Sequence, residues 1–283
     1  MRVFSRPAAP LVVAVLLSTV AGCVRVEPDP AAVPAAPTAE AALGGWRDFP
    51  VGRRPRPILL LGDPASVSPK TAVFPRLRLA TTPPAAPDTV EVTLPEGRTR
   101  LAVLPPSTAL AQMLDGRVTD SSGPERAVTD VRLKSWSYPT DRGPLSLPTW
   151  IFHIDGGDVR WPALDPSAFW RLGKLRLSVT TGPVARLTTD GRGATVDLPQ
   201  PALTCGGSTP PDTVTTRASD RAVLVVVASP TATTKPRGAD VDCLNDDVLR
   251  RRPVRVTFDG PLGNRVLLGP DGNVVPVIAP AGG

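Results

Sequence analysis

The stretch "TVEVTL", Thr89–Leu94, carries the pattern that decides the fold. Its three apolar residues alternate with polar ones, as in a strand that packs one face on a core and leaves the other in solvent. The same period of two recurs in "KLRLSVT", residues 174–180, and in "PVRVTF", residues 253–258. A fourth run, "AVLVVVA" at 222–228, is apolar throughout and predicts a strand covered on both faces.

Turn signals separate these runs. "PEGR" at 95–98, "TDGRG" at 189–193 and "GPDGN" at 269–273 combine glycine with proline or an acidic residue. Such residues suit the backbone angles of tight turns. The third lies between the apolar runs "RVLL" and "VVPV", so it predicts a β-hairpin.

Helices are expected to be few and short. The chain has 36 prolines in 283 residues, and proline inside a helix removes a backbone donor and clashes with the preceding turn. "STALAQMLDG", residues 107–116, is the clearest helical stretch. Ser107 or Thr108 would be its N-cap, and Gly116 would end it.

These patterns predict an all-β fold, antiparallel and sandwich-like, with few short helices. The length favours two β-rich parts. The turn-forming stretch "DSSGPE", residues 120–125, suggests where they divide. We therefore expect a β-rich N-terminal part over 46–122 and a sandwich-like C-terminal domain over 123–283.

The N-terminus has the parts of an export signal. Arg2 and Arg6 precede an apolar stretch at residues 11–22, which is too short to span a bilayer. It ends in "VAGC", residues 20–23, which resembles the lipobox of bacterial lipoproteins. The resemblance implies removal of a signal peptide at 1–22 and attachment of a diacylglyceryl group, with acyl chains such as palmitate, to Cys23. The alternative is an ordinary signal peptide followed by a chance cysteine.

Residues 23–45 are rich in proline and alanine and contain no aromatic residue. Such a composition buries too little apolar surface to form a core, and its prolines favour extended conformations. We expect a tether without further structure, which holds a folded body off the membrane. The lipobox thus predicts a protein anchored to the cell membrane on its extracytoplasmic face.

Charge gives little indication of a partner. Without residues 1–22 the chain has 30 basic and 26 acidic side chains, a balance too mild to indicate nucleic acid. Basic clusters remain at "GRRPR", residues 52–56, and "RRRPVR", residues 250–255. They form either a solvated charged face or a surface for anionic lipid headgroups or an envelope polymer. The membrane, contacted through the lipid expected on Cys23, is the partner that the sequence predicts most directly.

The two remaining cysteines are Cys205 and Cys243. In an exported protein they form one possible disulfide pair, worth about 3–4 kcal/mol in the chain-entropy model. A two-cysteine metal or redox site is the competing interpretation, but the chain has no C-x-x-C motif and a single histidine. We expect a structural disulfide.

Catalytic motifs are missing from the sequence. His153 is the only histidine, which excludes multi-histidine metal sites, and no G-x-S-x-G or S-x-x-K motif is present. His153 and Asp155 have the spacing of two residues on one face of a strand, yet no nucleophile is marked. The aspartates of "DVDCLNDD", residues 240–247, do not match the spacing of a calcium loop. We expect no catalytic residue, metal or cofactor.

Aromatic residues are concentrated between residues 136 and 170, which contain four of the five tryptophans and the only tyrosine. Either they fill the core, or some of them bind sugar rings or peptides at the surface. Alternation in "LPTWIFHI", residues 147–154, assigns Trp150 and Phe152 to the core. The residues left as possible ligand-binding rings are Trp161, which follows a glycine-rich turn and should be exposed, together with Trp170 and Tyr138.

The stretch "TDRGPLSLPTWIFHIDG", with the later Cys205-Gly206 and Cys243-Leu244, resembles envelope lipoproteins of GC-rich Gram-positive bacteria. This resemblance implies a compartment and a disulfide and carries no active site. We expect a lipid-anchored extracytoplasmic protein that binds an envelope ligand or another envelope protein, or has a structural role there. The alternative is a secreted envelope hydrolase without a recognisable motif.

Overall fold

The computed structural model describes residues 37–68, 74–115, 123–199, 213–228 and 251–280. These stretches lie within one compact unit, Ala36–Gly283. Strands make up most of the regular structure, in mixed and antiparallel sheets, so the predicted all-β, sandwich-like fold is confirmed. No helix in the described residues is long and apolar enough to cross a membrane.

The largest sheet has five strands in the order β1-β7-β6-β5-β2. They are β1 (Ser66–Ser68), β2 (Arg76–Leu79), β5 (Glu125–Thr140), β6 (Gly143–Ile154) and β7 (Gly157–Pro162). Strands β5, β6 and β7 form a continuous antiparallel meander, whereas β2 joins β5 in parallel. Strands on both sides of residue 122 thus share one sheet, and the division expected at 122 and 123 does not coincide with a boundary between sheets.

One face of this sheet packs on the helix α2, Pro106–Asp115. Trp150 and Phe152 of β6 lie in this core and are fully buried, as their alternation predicts. The helix begins at Pro106, two or three residues before the start that an N-cap at Ser107 or Thr108 implies, because proline is accepted in the first turn, where the missing N–H is not needed. Ser107 and Thr108 therefore lie inside the helix, and neither is its N-cap.

The opposite face is covered at one end by a two-stranded hairpin, β3 (Thr89–Leu94) and β4 (Gly97–Ala102). "TVEVTL" is therefore a strand, as predicted. The turn after it lies at Pro95 and Glu96, and the following Gly97 has a φ of 122°, which favours glycine. Apolar residues of β3 pack on Tyr138 and Leu147.

Two smaller sheets form the rest of the unit. The first has the order β12-β9-β8-β14 and the second the order β10-β11-β13. Strand β11 is the "AVLVVVA" run, and its two faces pack on two different apolar clusters, as predicted. The strands are β8 (Ala185–Leu187), β9 (Gly193–Pro199), β10 (Thr213–Ala218), β11 (Ala222–Ala228), β12 (Arg251–Thr257), β13 (Val266–Leu268) and β14 (Val277–Ile278).

The predicted hairpin at "GPDGN" is confirmed, since the N–H of Gly269 donates to the carbonyl of Asn273 and Leu268 bridges Val274 in the antiparallel sense. The strand expected at 174–180 is wrong. That stretch contains only an isolated bridge from Leu177 to Val274, and Leu177 itself is exposed. Leu175 is buried but Val179 is exposed as well, so the apolar residues of this stretch do not share a buried face, and among the described residues no strand pairs along its length.

The tether expected over 23–45 also needs correction at its C-terminal end. Ala39–Gly44 forms the helix α1, with the side chain of Thr38 accepting from the N–H of Ala41 as its N-cap. Ala42 is buried among the side chains around Phe49. The prolines end at residue 37, and the alanines and leucine that follow are strong helix formers, so this segment is part of the folded body.

Candidate functional site

Three residues expected to carry covalent chemistry lie outside the described part of the chain: Cys23, Cys205 and Cys243. The lipidation of Cys23 and the disulfide between the other two stay predictions. The acidic stretch at 240–247 is also outside it. Within the described residues, no group of three or more histidine, cysteine, aspartate or glutamate side chains is placed to hold a metal ion.

The structure corrects the expected aromatic ligand site. Trp161 is only 7% exposed, because it lies in β7 opposite Trp150 and not in a loop. Tyr138 is 4% exposed, and the hydroxyl of Thr149 donates to its oxygen at 3.4 Å. Burial raises the pKa of Tyr138 to about 12. Neither ring is available to a ligand from solvent.

The other two tryptophans of this segment differ from each other. Trp170 is half-buried and packs edge-on against Phe49, with ring centroids 5.6 Å apart. Trp136 is 40% exposed, and the guanidinium of Arg160 lies 4.0 Å from its ring centre. The exposed ring between residues 136 and 170 is therefore Trp136, which was not among the predicted binding residues, and a cation already covers it.

His153 is held by carboxylates. Its Nδ1 lies 2.5 Å from Oδ1 of Asp158, and its Nε2 lies 3.9 Å from Oδ2 of Asp130. Asp155, the partner suggested by spacing, is in the turn after β6, is 95% exposed and pairs with Arg126. The contact with Asp158 orients the imidazole, and its Nε2 has no hydrogen-bond partner among the described residues, which fits a structural histidine.

A cavity of about 260 Å³ lies where the turns of two hairpins meet the C-terminal sheets. It is lined by both charged and apolar side chains. They are Arg56, Pro95, Glu96, Asp141, Arg142, Leu187, Leu262, Gly263, Arg265, Leu267, Val277 and Ala279. This mixture of apolar wall and a few convergent polar groups is typical of small-molecule sites, and we refer to it as the Arg56 cavity.

Arg56 is positioned by the buried run that follows it. The buried run after it is locked in place because Leu60 bridges Thr140, at the end of β5, and the carbonyl of Leu59 accepts from the N–H of Asp141. Asp141 belongs to a tight turn in which the hydroxyl of Thr140 donates to the carbonyl of Gly143. The same backbone contacts thus bring Arg56 and Asp141 together.

The guanidinium of Arg56 has a nearly complete set of partners. Its Nη2 lies 2.7 Å from Oδ2 of Asp141, and its Nε donates to the carbonyl of Asn264 at 2.9 Å. Its Cζ lies 4.8 Å from the ring centre of Phe49. The side chain is 1% exposed. Among the described residues, no atom accepts a hydrogen bond from its Nη1. This nitrogen has almost no surface that solvent reaches, and leaving such a donor unpaired costs about 1–3 kcal/mol, and more for a charged group.

Two further arginines line the Arg56 cavity. Arg142 forms an ion pair with Glu96, which connects the β5–β6 turn to the β3–β4 turn. Arg265 donates to the carbonyls of Gly260 and Pro261 at 2.9 and 2.8 Å. No carboxylate of the described chain pairs with Arg265. Among the described residues that line it, the cavity therefore has three positive and two negative side chains.

The sequence pattern does not reveal this site, because Arg56 belongs to "GRRPR", a basic cluster that predicts a charged surface. Arg53 and Arg54 of that cluster are exposed, as expected, but Arg56 is buried. One signal was present: Arg56 directly precedes "PILLL", an apolar run too continuous to be exposed. The partners of Arg56 come from residues 141 and 264, and no local pattern predicts that contact.

Comparison with known proteins adds no family. No family model, no curated protein and no solved structure matches this chain.

Proposed function

We propose that this protein is a lipid-anchored binding protein of the cell envelope, held by Cys23 on the extracytoplasmic face of the membrane, whose Arg56 cavity takes a small ligand. The observation that supports binding is the cavity itself, about 260 Å³ in volume, whose described lining combines an apolar wall with the charged side chains of Arg142, Arg265 and Glu96. Such a combination is typical of small-molecule sites.

The proposed location rests on the N-terminal sequence. A short apolar stretch ends in "VAGC", and the proline- and alanine-rich residues that follow separate Cys23 from α1. The proposed disulfide between Cys205 and Cys243 suits an oxidising compartment. The ligand would be a small envelope molecule, or the projecting end of an envelope polymer or of another envelope protein.

The hydrolase alternative has less support. A hydrolase using His153 needs a nucleophile within hydrogen-bonding reach of the imidazole. Both ring nitrogens of His153 instead face carboxylates, from Asp158 and Asp130. No observation in the described part of the chain favours hydrolysis over binding.

The proposed location is tested by fractionating cells that express the wild type or Cys23→Ser. We expect the wild type to partition with membranes and to incorporate labelled fatty acid, and the serine variant to lose the label. Equal labelling of the two proteins would contradict the anchor.

The binding function is tested by a ligand-observed NMR screen of small fragments against the full lipidated chain in lipid nanodiscs. Leu187→Trp fills the Arg56 cavity without removing a charge, and Leu177→Trp adds the same ring at an exposed position. We expect fragments that bind to the wild type and to Leu177→Trp and are lost in Leu187→Trp. A screen in which no fragment distinguishes the two variants would contradict a ligand site in the cavity.

A further inference from the structure

We infer that the outer edge of β5 between Leu133 and Ser137 binds a short extended peptide with acidic side chains, which adds to the large sheet as a further strand. This edge shares no residue with the described lining of the Arg56 cavity, so it is a second binding surface. Three features support it: free backbone groups, exposure of both faces of the strand and a lysine without an ion pair.

The backbone groups of every second residue of β5 point away from β6. The carbonyl of Pro139 accepts from the N–H of Leu61 on that outer side. Because the direction alternates along a strand, the N–H and carbonyl groups of Leu133, Ser135 and Ser137 point outward as well. In the described part of the chain, no backbone group bonds to these outward N–H and carbonyl groups.

The pairing with β6 gives the same assignment. Ser135 lies opposite Pro148, which has no N–H to donate. The carbonyl of Pro148 accepts from the N–H of Ala163, on the side away from β5. Ser135 and Pro148 therefore exchange no hydrogen bonds, and the N–H of Ser135 faces the outer edge.

The chain itself bounds this free edge at both ends. At one end β2 pairs with β5 as far as Val128, whose carbonyl accepts from the N–H of Ala80. At the other end Leu61 bonds to Pro139. Residues 129–138 between these contacts span about 35 Å, so a short strand fits. A second copy of β5 does not, because its own bonded Leu61 would have to lie between the two strands.

Both faces of the strand are open at this edge. Lys134, Ser135, Trp136 and Ser137 are four consecutive exposed residues. An exposed strand edge is a template for another strand, and proteins commonly protect such edges with a proline, a bulge or a covering segment. These four residues include no proline, and the irregularity in the register of β5 lies far from them, near Val128.

Charge selects among the strands that could add here. Lys134 forms no ion pair in the described part of the chain, whereas Arg132 on the same face is already balanced by Asp130. Like charges opposite each other destabilise a strand pair and opposite charges stabilise it, so Lys134 disfavours a basic strand and favours an acidic one. The other face has the small side chains of Ser135 and Ser137, which leave room for apolar side chains of the peptide.

The test is a titration of the full chain in nanodiscs of zwitterionic lipid, with empty nanodiscs subtracted. The acidic probe is the capped heptapeptide Thr-Val-Glu-Val-Glu-Val-Thr, and the basic probe has lysine in place of both glutamates. We expect the acidic probe to bind about tenfold or more tightly than the basic one. Equal binding of the two probes, or binding of neither, would overturn the inference.

Methylation of the peptide backbone tests whether the probe adds as a strand. With glutamate opposite Lys134 in an antiparallel pair, the N–H groups of the valines point to β5 and those of the glutamates point away, and a parallel pair reverses this. Methylating one set of nitrogens should therefore abolish binding, while methylating the other set changes the affinity by no more than about twofold. Equal effects of the two methylations would contradict strand addition.

Two variants locate the peptide on β5. Lys134→Glu should weaken the acidic probe about tenfold or more and strengthen the basic one. Lys174→Glu makes the same change at another exposed lysine and should bind both probes as the wild type does. Ser135→Pro removes an outward N–H that β6 does not use and should weaken both probes; if it fails to fold, the comparison of the two lysine variants still decides.

Amide hydrogen exchange, resolved to single residues, identifies the bonded groups. On addition of the acidic probe, the outward N–H groups of Leu133, Ser135 and Ser137 should exchange about tenfold or more slowly. Those of Lys134 and Trp136 face β6 and should be unchanged. Unchanged exchange at the three outward groups, or equal binding by Lys134→Glu and Lys174→Glu, would place the peptide elsewhere and overturn the inference, whereas the ligand of the Arg56 cavity is untouched by either result.

Discussion

Nη2 of Arg56 lies 2.7 Å from Oδ2 of Asp141, and the two side chains are 1% and 6% exposed. This ion pair joins a residue that precedes the first sheet strand to the turn between β5 and β6. Burying two charges is expensive, and their attraction offsets that penalty only while both are present. The pair therefore fixes the geometry of the Arg56 cavity, and the loss of either partner should be costly.

Asp141→Ala should lower the free energy of unfolding by about 3–5 kcal/mol, because it leaves a buried guanidinium without a counter-charge. The double replacement Arg56→Met with Asp141→Leu should recover much of this loss, since it removes both charges. Urea unfolding followed by circular dichroism measures each value.

The matched control for that prediction is the exposed ion pair of Arg78 and Glu125, whose side chains are more than half exposed. Glu125→Ala should change the free energy of unfolding by no more than about 1 kcal/mol, as is usual for surface pairs. Equal losses in Asp141→Ala and Glu125→Ala would show that the buried pair has no special role.

Tyr138 should make the protein sensitive to alkaline pH. Burial raises its pKa to about 12, well above the ordinary value of a tyrosine. The stability contributed by the neutral phenol is therefore fully present below pH 10 and is lost as the pH rises toward 12, by an amount of about 2–3 kcal/mol. Tyr138 is the only tyrosine, so the phenolate absorbance near 295 nm reports this residue alone.

The titration of the folded protein should have a midpoint well above that of the unfolded protein in urea. The variant Tyr138→Phe should lose the absorbance change and should lose less stability between pH 10 and 12. A midpoint near 10 in the folded protein would contradict the burial of Tyr138.

Truncation of Trp150 should destabilise the fold much more than truncation of Trp136. Trp150 is 1% exposed and its Nε1 donates to the carbonyl of Leu104 at 2.8 Å. Trp150→Ala should lower the free energy of unfolding by about 3–5 kcal/mol. Trp136 is 40% exposed, and Trp136→Ala should cost no more than about 1 kcal/mol, the cation–π contact with Arg160 included. Comparable losses in thermal unfolding would contradict the assigned faces of the sheet.

Local pattern could predict the strands whose apolar residues either alternate or form an unbroken run. Alternation predicts β3 and β12 and assigns Trp150 and Phe152 to a core, whereas the unbroken run of β11 predicts a strand covered on both faces. Residues 174–180 alternate as well, but a strand also needs a partner along its length, and sequence alone does not show whether one is present. Trp161 lies in a strand and not at the exposed position expected after the glycine-rich turn, because that turn is short and β7 already begins at Gly157.

The candidate site could not be predicted in the same way. Its residues come from the segment before β1, two hairpin turns and the C-terminal sheets, and only tertiary contacts bring them together. Arg56 resembles its exposed neighbours Arg53 and Arg54 in sequence. What distinguishes it is the backbone pairing of Leu59 and Leu60 with the end of β5, which places its side chain inside.

Cys205 and Cys243 provide a prediction that does not depend on the described fold. Intact mass under non-reducing conditions should show no free thiol at Cys205 or Cys243, and reduction should lower the free energy of unfolding by about 3–4 kcal/mol. Full alkylation of both thiols without prior reduction would rule out the bond.

Methyl-resolved NMR tests most directly the central claim, that the Arg56 cavity is the ligand site. The full chain is labelled at leucine and valine methyl groups and titrated with octanoate and with octanol as small amphiphilic probes. We predict that the methyl signals of Leu187, Leu262, Leu267 and Val277 shift together. Leu79 and Leu177 do not line the cavity, so their signals should stay in place. If neither probe moves the four cavity signals, the cavity is not a binding site and the account is wrong.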